Sequence, residues 1–260
     1  MAGRPENIGR YRIEGVLGSG GMGVVYAARD ASLGRPVALK TIAAAAMADE
    51  EYQKRFWREA RAAASVNHPN VCQVYEIGEA DGMPFIAMEM LEGEPLSARI
   101  ARGPLPPREA IEAALGVLAA LTALHARAIV HRDLKPSNVF LTGHGVKILD
   151  FGLARSLAAE VGHTASLLTR PGAIMGTPRY MAPEQLRGEE ADARTDLFAV
   201  GAILFEMLTG RTAFGGRTTA EVFHATLHEH PPALAGSPCV AAVDLVVRRA
   251  LSKSPEGRPP

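Results

Sequence analysis

His131-Arg132-Asp133-Leu134-Lys135-Pro136-Ser137-Asn138 is the chemically densest stretch of this 260-residue chain. It follows a long helical pattern and the apolar pair Ile129-Val130. Polar groups crowded between buried elements are hard to explain by packing, because burying them costs free energy unless something binds them. Asp133 and Lys135 alternate on one side of an extended loop, with Asn138 five residues after the aspartate. Twelve residues after Asn138 comes Asp150-Phe151-Gly152, behind the strand-like Val146-Lys147-Ile148-Leu149. An acid at a strand end followed by glycine is, alone, an ordinary turn. Together with Asn138 it offers oxygen ligands to a hard cation such as Mg²⁺.

Upstream, Gly18-Ser19-Gly20-Gly21-Met22-Gly23 fits G-x-G-x-x-G. Glycine there lets backbone amides approach phosphates closely, and equally permits a tight turn. Tyr11, Ile13 and Leu17 hold period-two positions before it, and Val24-Val25-Tyr26 reads as strand after it. The loop is therefore a hairpin lid, not the strand-to-helix turn of a dinucleotide fold. No G-K-[ST] follows, so it is not a P-loop. Lys40 ends Val37-Ala38-Leu39-Lys40 on a third strand, Val37 to Ile42. It is either a snorkelling surface lysine or a cation aimed at phosphate oxygens under the lid. From Asp49 to Val66 the chain reads as helix, and Glu59 falls on the face of Phe56 and Ala63. A buried carboxylate needs a cation, for which Lys40 is the candidate; a solvated Glu59 is the alternative.

Val71 to Ile77 and Pro84 to Leu91, separated by an Asp81-Gly82 turn, complete a five-stranded sheet with one helix. Glu92-Gly93-Glu94-Pro95 reads as a hinge, beyond which the chain turns helical. Pro107 to Arg127 carries Ile111, Leu115, Leu118 and Leu121 on one face, expected to be buried. Further helices are expected at Thr195 to Leu208, Thr219 to His228 and Val240 to Leu251. This is an α+β chain with a small β-rich lobe and a larger α-rich one, and clefts between lobes favour ligands.

With 28 basic and 28 acidic residues the net charge is zero, which argues against nucleic acid as partner. The 47% hydrophobic content is that of a globular chain. Two cysteines make no disulfide framework and suggest a reducing compartment. The longest apolar stretch, Ala113 to Leu124, is short of the roughly 20 residues that span a bilayer. The opening residues lack the apolar core of a signal peptide. His224, His228 and His230 have metal-like spacing without a supporting ligand, so they read as surface residues. Cys72 reads as an inert core thiol.

Taken in order, the glycine loop, Val37-Ala38-Leu39-Lys40, the segment His131 to Asn138, Asp150-Phe151-Gly152 and Ala182-Pro183-Glu184 resemble the motifs of protein kinase catalytic domains. The resemblance runs from about Tyr11 to Pro259. Lys135, and Gly176-Thr177-Pro178 ahead of Tyr180-Met181-Ala182-Pro183-Glu184, resemble the serine/threonine branch. Arg55-Phe56-Trp57-Arg58-Glu59-Ala60 resembles the eukaryotic-type kinases of bacteria. The resemblance implies a bilobal kinase fold: small lobe 1–91, hinge 89–94 and large lobe 95–260, without the final helix that family members usually add. It implies ATP, with Mg²⁺ or Mn²⁺, and transfer of the γ-phosphoryl group to Ser/Thr hydroxyls of protein substrates.

By the same resemblance, Leu17, Gly18, Ser19, Gly20, Gly21, Met22 and Gly23 lie over the nucleotide. Lys40 contacts the α/β-phosphates and pairs with Glu59. Val25, Ala38 and Phe140 sandwich adenine, Met88 is the gatekeeper, and Glu89 and Met90 bind adenine through backbone groups. Asp133 accepts or orients the substrate hydroxyl proton, Lys135 stabilises the transferring phosphoryl group, and Asn138 and Asp150 hold the metal. Glu184 and Arg258 resemble a buried structural pair, and Asp196 the acid that braces the catalytic loop. Arg132 is expected to meet a phosphate on an activation loop that carries Thr164, Ser166 and Thr169, with Thr169 the first choice. A homodimer is one route to autophosphorylation. A cytoplasmic kinase domain is expected, with membrane tethering left open for a longer protein. A pseudokinase scaffold and a small-molecule phosphotransferase are the alternatives. The first usually loses Lys40, Asp133 or Asp150, all present here, and the second generally lacks Ala182-Pro183-Glu184.

Overall fold

The computed structural model describes residues 5–20, 23–42, 50–150, 178–236 and 238–260, in two units, Met1–Glu92 and Gly93–Pro260. In the first, β1 (Asn7–Ile8), β2 (Tyr11–Gly20), β3 (Gly23–Asp30), β4 (Pro36–Thr41), β5 (Val74–Ala80) and β6 (Met83–Glu89) form one antiparallel sheet in the order β1-β2-β3-β4-β6-β5. The sequence predicts five strands. The sixth, β1, is two residues long and pairs Ile8 with Tyr11, too short to show a period.

Regular alternation buries Tyr11 and Ile13 with Ile8, Ala28, Val37, Leu39, Phe85 and Ala87. Tyr11 meets Phe85 edge-on at 5.5 Å. Leu17 departs from this face. Register shifts between Ile13 and Gly15 and between Val16 and Gly18 turn the pleat as bulges do, and Leu17 is left 55% exposed. β5 begins later than the apolar run suggests, because Val71 and Cys72 are buried ahead of the ladder, with Val71 N–H donated to His68 O. Asp81 and Gly82 both have positive φ, 52° and 73°, the hairpin geometry this dipeptide favours. Helix α1 (Glu50–Ala64) buries Phe56, Ala60 and Ala63 and packs on β5.

In the second unit β7 (Gly93–Pro95), β8 (Val139–Thr142) and β9 (Gly145–Ile148) form a small antiparallel sheet. The segment 89–94 therefore gives Glu89 to β6 and Gly93 and Glu94 to β7. Gly93 has φ 139°, and a Cβ there would lie 1.9 Å from Leu141 O, so no other residue fits. The helices are α2 (Leu96–Ala101), α3 (Pro107–His125), α4 (Pro183–Arg187), α5 (Ala193–Thr209), α6 (Thr219–His228) and α7 (Pro238–Ala250).

α3 packs on α5 and β9 through Ala110, Ala113, Ala114, Val117, Ala120, Leu121 and Leu124. Of the face read from the sequence only Leu121 is fully buried, and Leu115 is 59% exposed. The i, i+3, i+4, i+7 row Ala110, Ala113, Ala114 and Val117 faces the core as well as a leucine row does, and its small side chains let the neighbouring helix come closer. α5 is buried along most of its length. Gly201 lets α7 approach, since a Cβ there would lie 2.9 Å from that of Ala250. His224, His228 and His230 are exposed. Among the described residues no group of three or more His, Cys, Asp or Glu side chains could hold a metal, and no helix is long and apolar enough to cross a membrane.

Candidate active site

Asp196, in the first turn of α5 and 1% exposed, organises the loop that follows α3. Its Oδ2 accepts from His131 N–H at 2.9 Å and its Oδ1 from Arg132 N–H at 2.9 Å. The same Oδ2 lies 2.7 Å from His125 Nε2. The carboxylate thus fixes the two peptide groups just ahead of Asp133 and holds Arg132 at φ 67°, a conformation that persists only when its surroundings over-determine it. His131 is fully buried. Its Nδ1 faces Asp133 N–H at 3.4 Å, and Nε2 lies 3.0 Å from Leu149 O. One imidazole therefore joins the loop to the residue before Asp150.

The Asp133 carboxylate receives two neighbours. Lys135 Nζ is 2.7 Å from Oδ2, and Asn138 Nδ2 is 3.3 Å from it and 2.8 Å from Asp133 O. Because the Asn138 NH₂ turns to Asp133, its Oδ1 is the acceptor end offered elsewhere. The carbonyl of Asn138, in the 3₁₀ turn Pro136–Asn138, accepts Leu149 N–H at 2.8 Å. Asp150 follows at φ 54°. An amide oxygen and a carboxylate suit Mg²⁺, which takes one or two protein oxygens and completes its shell from phosphate and water.

Below the loop, Arg258 Nη1 and Nη2 bind Glu184 at 2.6 and 2.8 Å, with side chains 0% and 3% exposed. Thr195 Oγ1 donates to the same carboxylate at 2.8 Å. Burial alone would raise the Glu184 pKa; the hydrogen bonds from Arg258, its own backbone and Thr195 outweigh it and hold it below the ordinary value. Gln185 Oε1 accepts Ala182 N–H at 3.0 Å, and Nε2 donates to Arg132 O at 2.7 Å. The sequence reading missed this residue: the capping box pairs a Gln or Glu with a Ser or Thr three residues earlier, and here Ala182 stands there. Tyr180 donates to Glu206 at 2.6 Å; burial, then this carboxylate, pushes the phenol well above its usual range. Lys253 Nζ donates to Thr226 O at 2.6 Å and stands 4.0 Å from the Phe214 ring centre. Burial pushes this ammonium down to about 8.

In the first unit Lys40 is buried on β4, opposite Val25 and Ile86. Glu59 is half-buried on α1. Ala38 is buried opposite Ala27 and Met88, and Val25, Met88, Glu89 and Met90 are half-buried. Glu89 N–H is donated to Gln73 O at 2.9 Å. Gly18 and Ser19 pair with Val25 and Val24, and Gly20 with Gly23. Thr41 clamps this hairpin, its Oγ1 accepting from Val24 N–H at 3.3 Å and donating to Val24 O at 3.1 Å; a threonine at a strand end gave no sequence signal. Phe140 lies on β8, in the second unit. Gly21, Met22, Thr164, Ser166 and Thr169 lie outside the described residues.

A family model described as "Protein kinase domain" matches residues 11–254. The "Probable serine/threonine-protein kinase SCO3848" of Streptomyces coelicolor is 42% identical over 96% of this chain. PknB of Mycobacterium leprae, a serine/threonine-protein kinase, is 38% identical over 98%. The chain spans 38% and 41% of the length of these two relatives. The crystal structure of the Mycobacterium tuberculosis PknI kinase domain matches with a TM-score of 0.74 at 30% identity, covering 97% of this chain and 91% of that one.

Proposed function

The chain belongs to the protein kinase family and has its α+β fold, and on that premise we propose ATP- and Mg²⁺-dependent transfer of the γ-phosphoryl group to Ser and Thr hydroxyls of proteins. The observation that carries this reading is the Asp133–Lys135–Asn138 cluster, fixed from behind by Asp196. Asp133 takes the proton of the attacking hydroxyl, and Lys135 balances its charge and that of the moving phosphoryl group. Asn138 and Asp150 would hold Mg²⁺, which when bound neutralises phosphate charge. Lys40, oriented by Glu59, meets the α/β-phosphates, and the glycine hairpin braced by Thr41 covers them. Residues 1–91 act as the small lobe and 95–260 as the large one, joined by 89–94. We assign Arg132 the recognition of a phosphate on the loop, placed by autophosphorylation, with Thr169 the first choice.

Purified protein, labelled ATP, Mg²⁺ and a generic protein substrate provide the test. Phosphoserine and phosphothreonine are expected with little phosphotyrosine. Nucleotide binding without transfer would make the chain a scaffold, and transfer to small molecules alone would make it a phosphotransferase of another class. Phosphatase treatment should lower the rate of the parent and leave that of the Thr164/Ser166/Thr169 triple alanine variant unchanged.

A further inference from the structure

Gln185 is the one side chain of α4 bonded to the backbone beside Asp133 among the described residues. The carbonyl of Arg132 and the N–H of Asp133 belong to one peptide plane. On the Arg132 side of that plane the chain is strained, at φ 67°. On the Asp133 side the N–H makes the long 3.4 Å approach to His131 Nδ1 among the described residues. A short contact on this plane is the 2.7 Å bond from Gln185 Nε2 to Arg132 O. The sense of the Gln185 amide is settled by its other bond, since Oε1 accepts Ala182 N–H at 3.0 Å and Nε2 must be the donor.

We propose that Gln185 is a positioning residue for phosphoryl transfer: it holds the Arg132–Asp133 peptide plane, and through it the Asp133 carboxylate, so that seating of α4 is a condition of turnover. The inference rests on Asp133 being the residue that handles the hydroxyl proton. α4 closes the stretch that starts at Asp150, so whatever displaces its first turn withdraws a donor from the catalytic loop. A role limited to capping α4 would need only the acceptor, Oε1.

Gln185→Glu separates the two roles. It keeps an oxygen for Ala182 N–H, where glutamate caps as well as glutamine, and sets a second oxygen against Arg132 O. The expected result is a fall in kcat of about tenfold, equivalent to about 1.4 kcal/mol, with KM for ATP within about twofold and a melting temperature lowered by no more than about 4 °C. The ratio of variant to parent kcat should rise as pH falls toward the ordinary glutamate pKa of about 4.3, because the protonated acid again donates to the carbonyl. Gln185→Ala should lose rate without that slope. Parent-like kcat in Gln185→Glu, or a pH-independent loss accompanied by a melting temperature lowered by more than about 4 °C, overturns the proposal. Parent and Asp133→Asn are measured alongside. An inactive parent, or an active Asp133→Asn, defeats the underlying reading; an active parent with inactive Asp133→Asn and an unaffected Gln185→Glu defeats the positioning role alone.

Discussion

Asp196→Asn changes the shape of one buried side chain very little and its hydrogen bonding a great deal. The carboxylate serves His131 N–H, Arg132 N–H and His125 Nε2 at 2.9, 2.9 and 2.7 Å. An amide has one oxygen. Placed where Oδ2 stood, it leaves Arg132 N–H facing an NH₂ group; placed where Oδ1 stood, it leaves His131 N–H facing one. Either way a backbone donor loses its acceptor, buried at His131 and part-buried at Arg132, at a cost of about 1–3 kcal/mol. The strain at Arg132, of similar size, then has less to hold it. Because the affected peptides lead directly into Asp133, the loss should fall on kcat, by about 10- to 100-fold at 1.36 kcal/mol per decade. The melting temperature should drop by about 2–12 °C, at roughly 2–4 °C per kcal/mol for a chain of this size. Steady-state phosphorylation of a peptide, with melts on the same preparations, measures both. A variant with kcat within twofold of the parent and an unchanged melt would refute the claim that Asp196 sets the catalytic loop.

Arg258→Ala should cost about 3–5 kcal/mol, because it strands the buried Glu184 carboxylate; urea midpoints read the loss. Glu184→Met/Arg258→Met should lose clearly less than the two single changes added, and strict additivity would contradict a coupled pair. Lys253 makes stability depend on pH in the alkaline range. Its value is 10.5 unfolded and about 8 folded, so between those values the unfolded chain holds a proton the native one has released, and stability rises with pH. Melts from pH 7.5 to 10.5 should show this rise in the parent and a flatter profile in Lys253→Met; identical profiles would exclude it. Asp150→Ala should abolish the Mg²⁺-dependent part of ATP affinity, and equal strengthening by Mg²⁺ in both proteins would move the metal role elsewhere.

The grouping of the loop residues was legible because they stand close together in the sequence: Asp133, Lys135 and Asn138 meet within a few ångströms of one another. Lys40 was legible as a lysine on an apolar strand, and its burial follows from that strand lying inside the sheet, between β3 and β6. What stayed hidden depends on tertiary partners. The α3 face differs from the expected one because its buried row runs through Ala110, Ala113, Ala114, Val117 and Ala120 beside Leu121 and Leu124, and not through the larger Ile111, Leu115 and Leu118. Leu17 left its expected face because bulges, which no residue-level period reports, interrupt β2. Thr41 and Gln185 act by bonding backbone atoms distant in sequence, Val24 and Arg132, and a threonine or glutamine alone does not announce such a partner. The Glu89 N–H bond to Gln73 O lies one step beyond the Val74–Met88 end of the β5–β6 ladder, a pairing that no single residue announces.

Asp133→Asn tests the central claim most directly. The substitution keeps the side-chain size and the neighbouring Lys135 and Asn138 while removing the carboxylate that takes the proton. With labelled ATP, Mg²⁺ and a protein substrate, turnover should fall by about 10²–10⁴-fold, the usual worth of a positioned base, with ATP affinity nearly intact. Turnover close to that of the parent would contradict the assignment of Asp133 and the phosphoryl-transfer mechanism built on it.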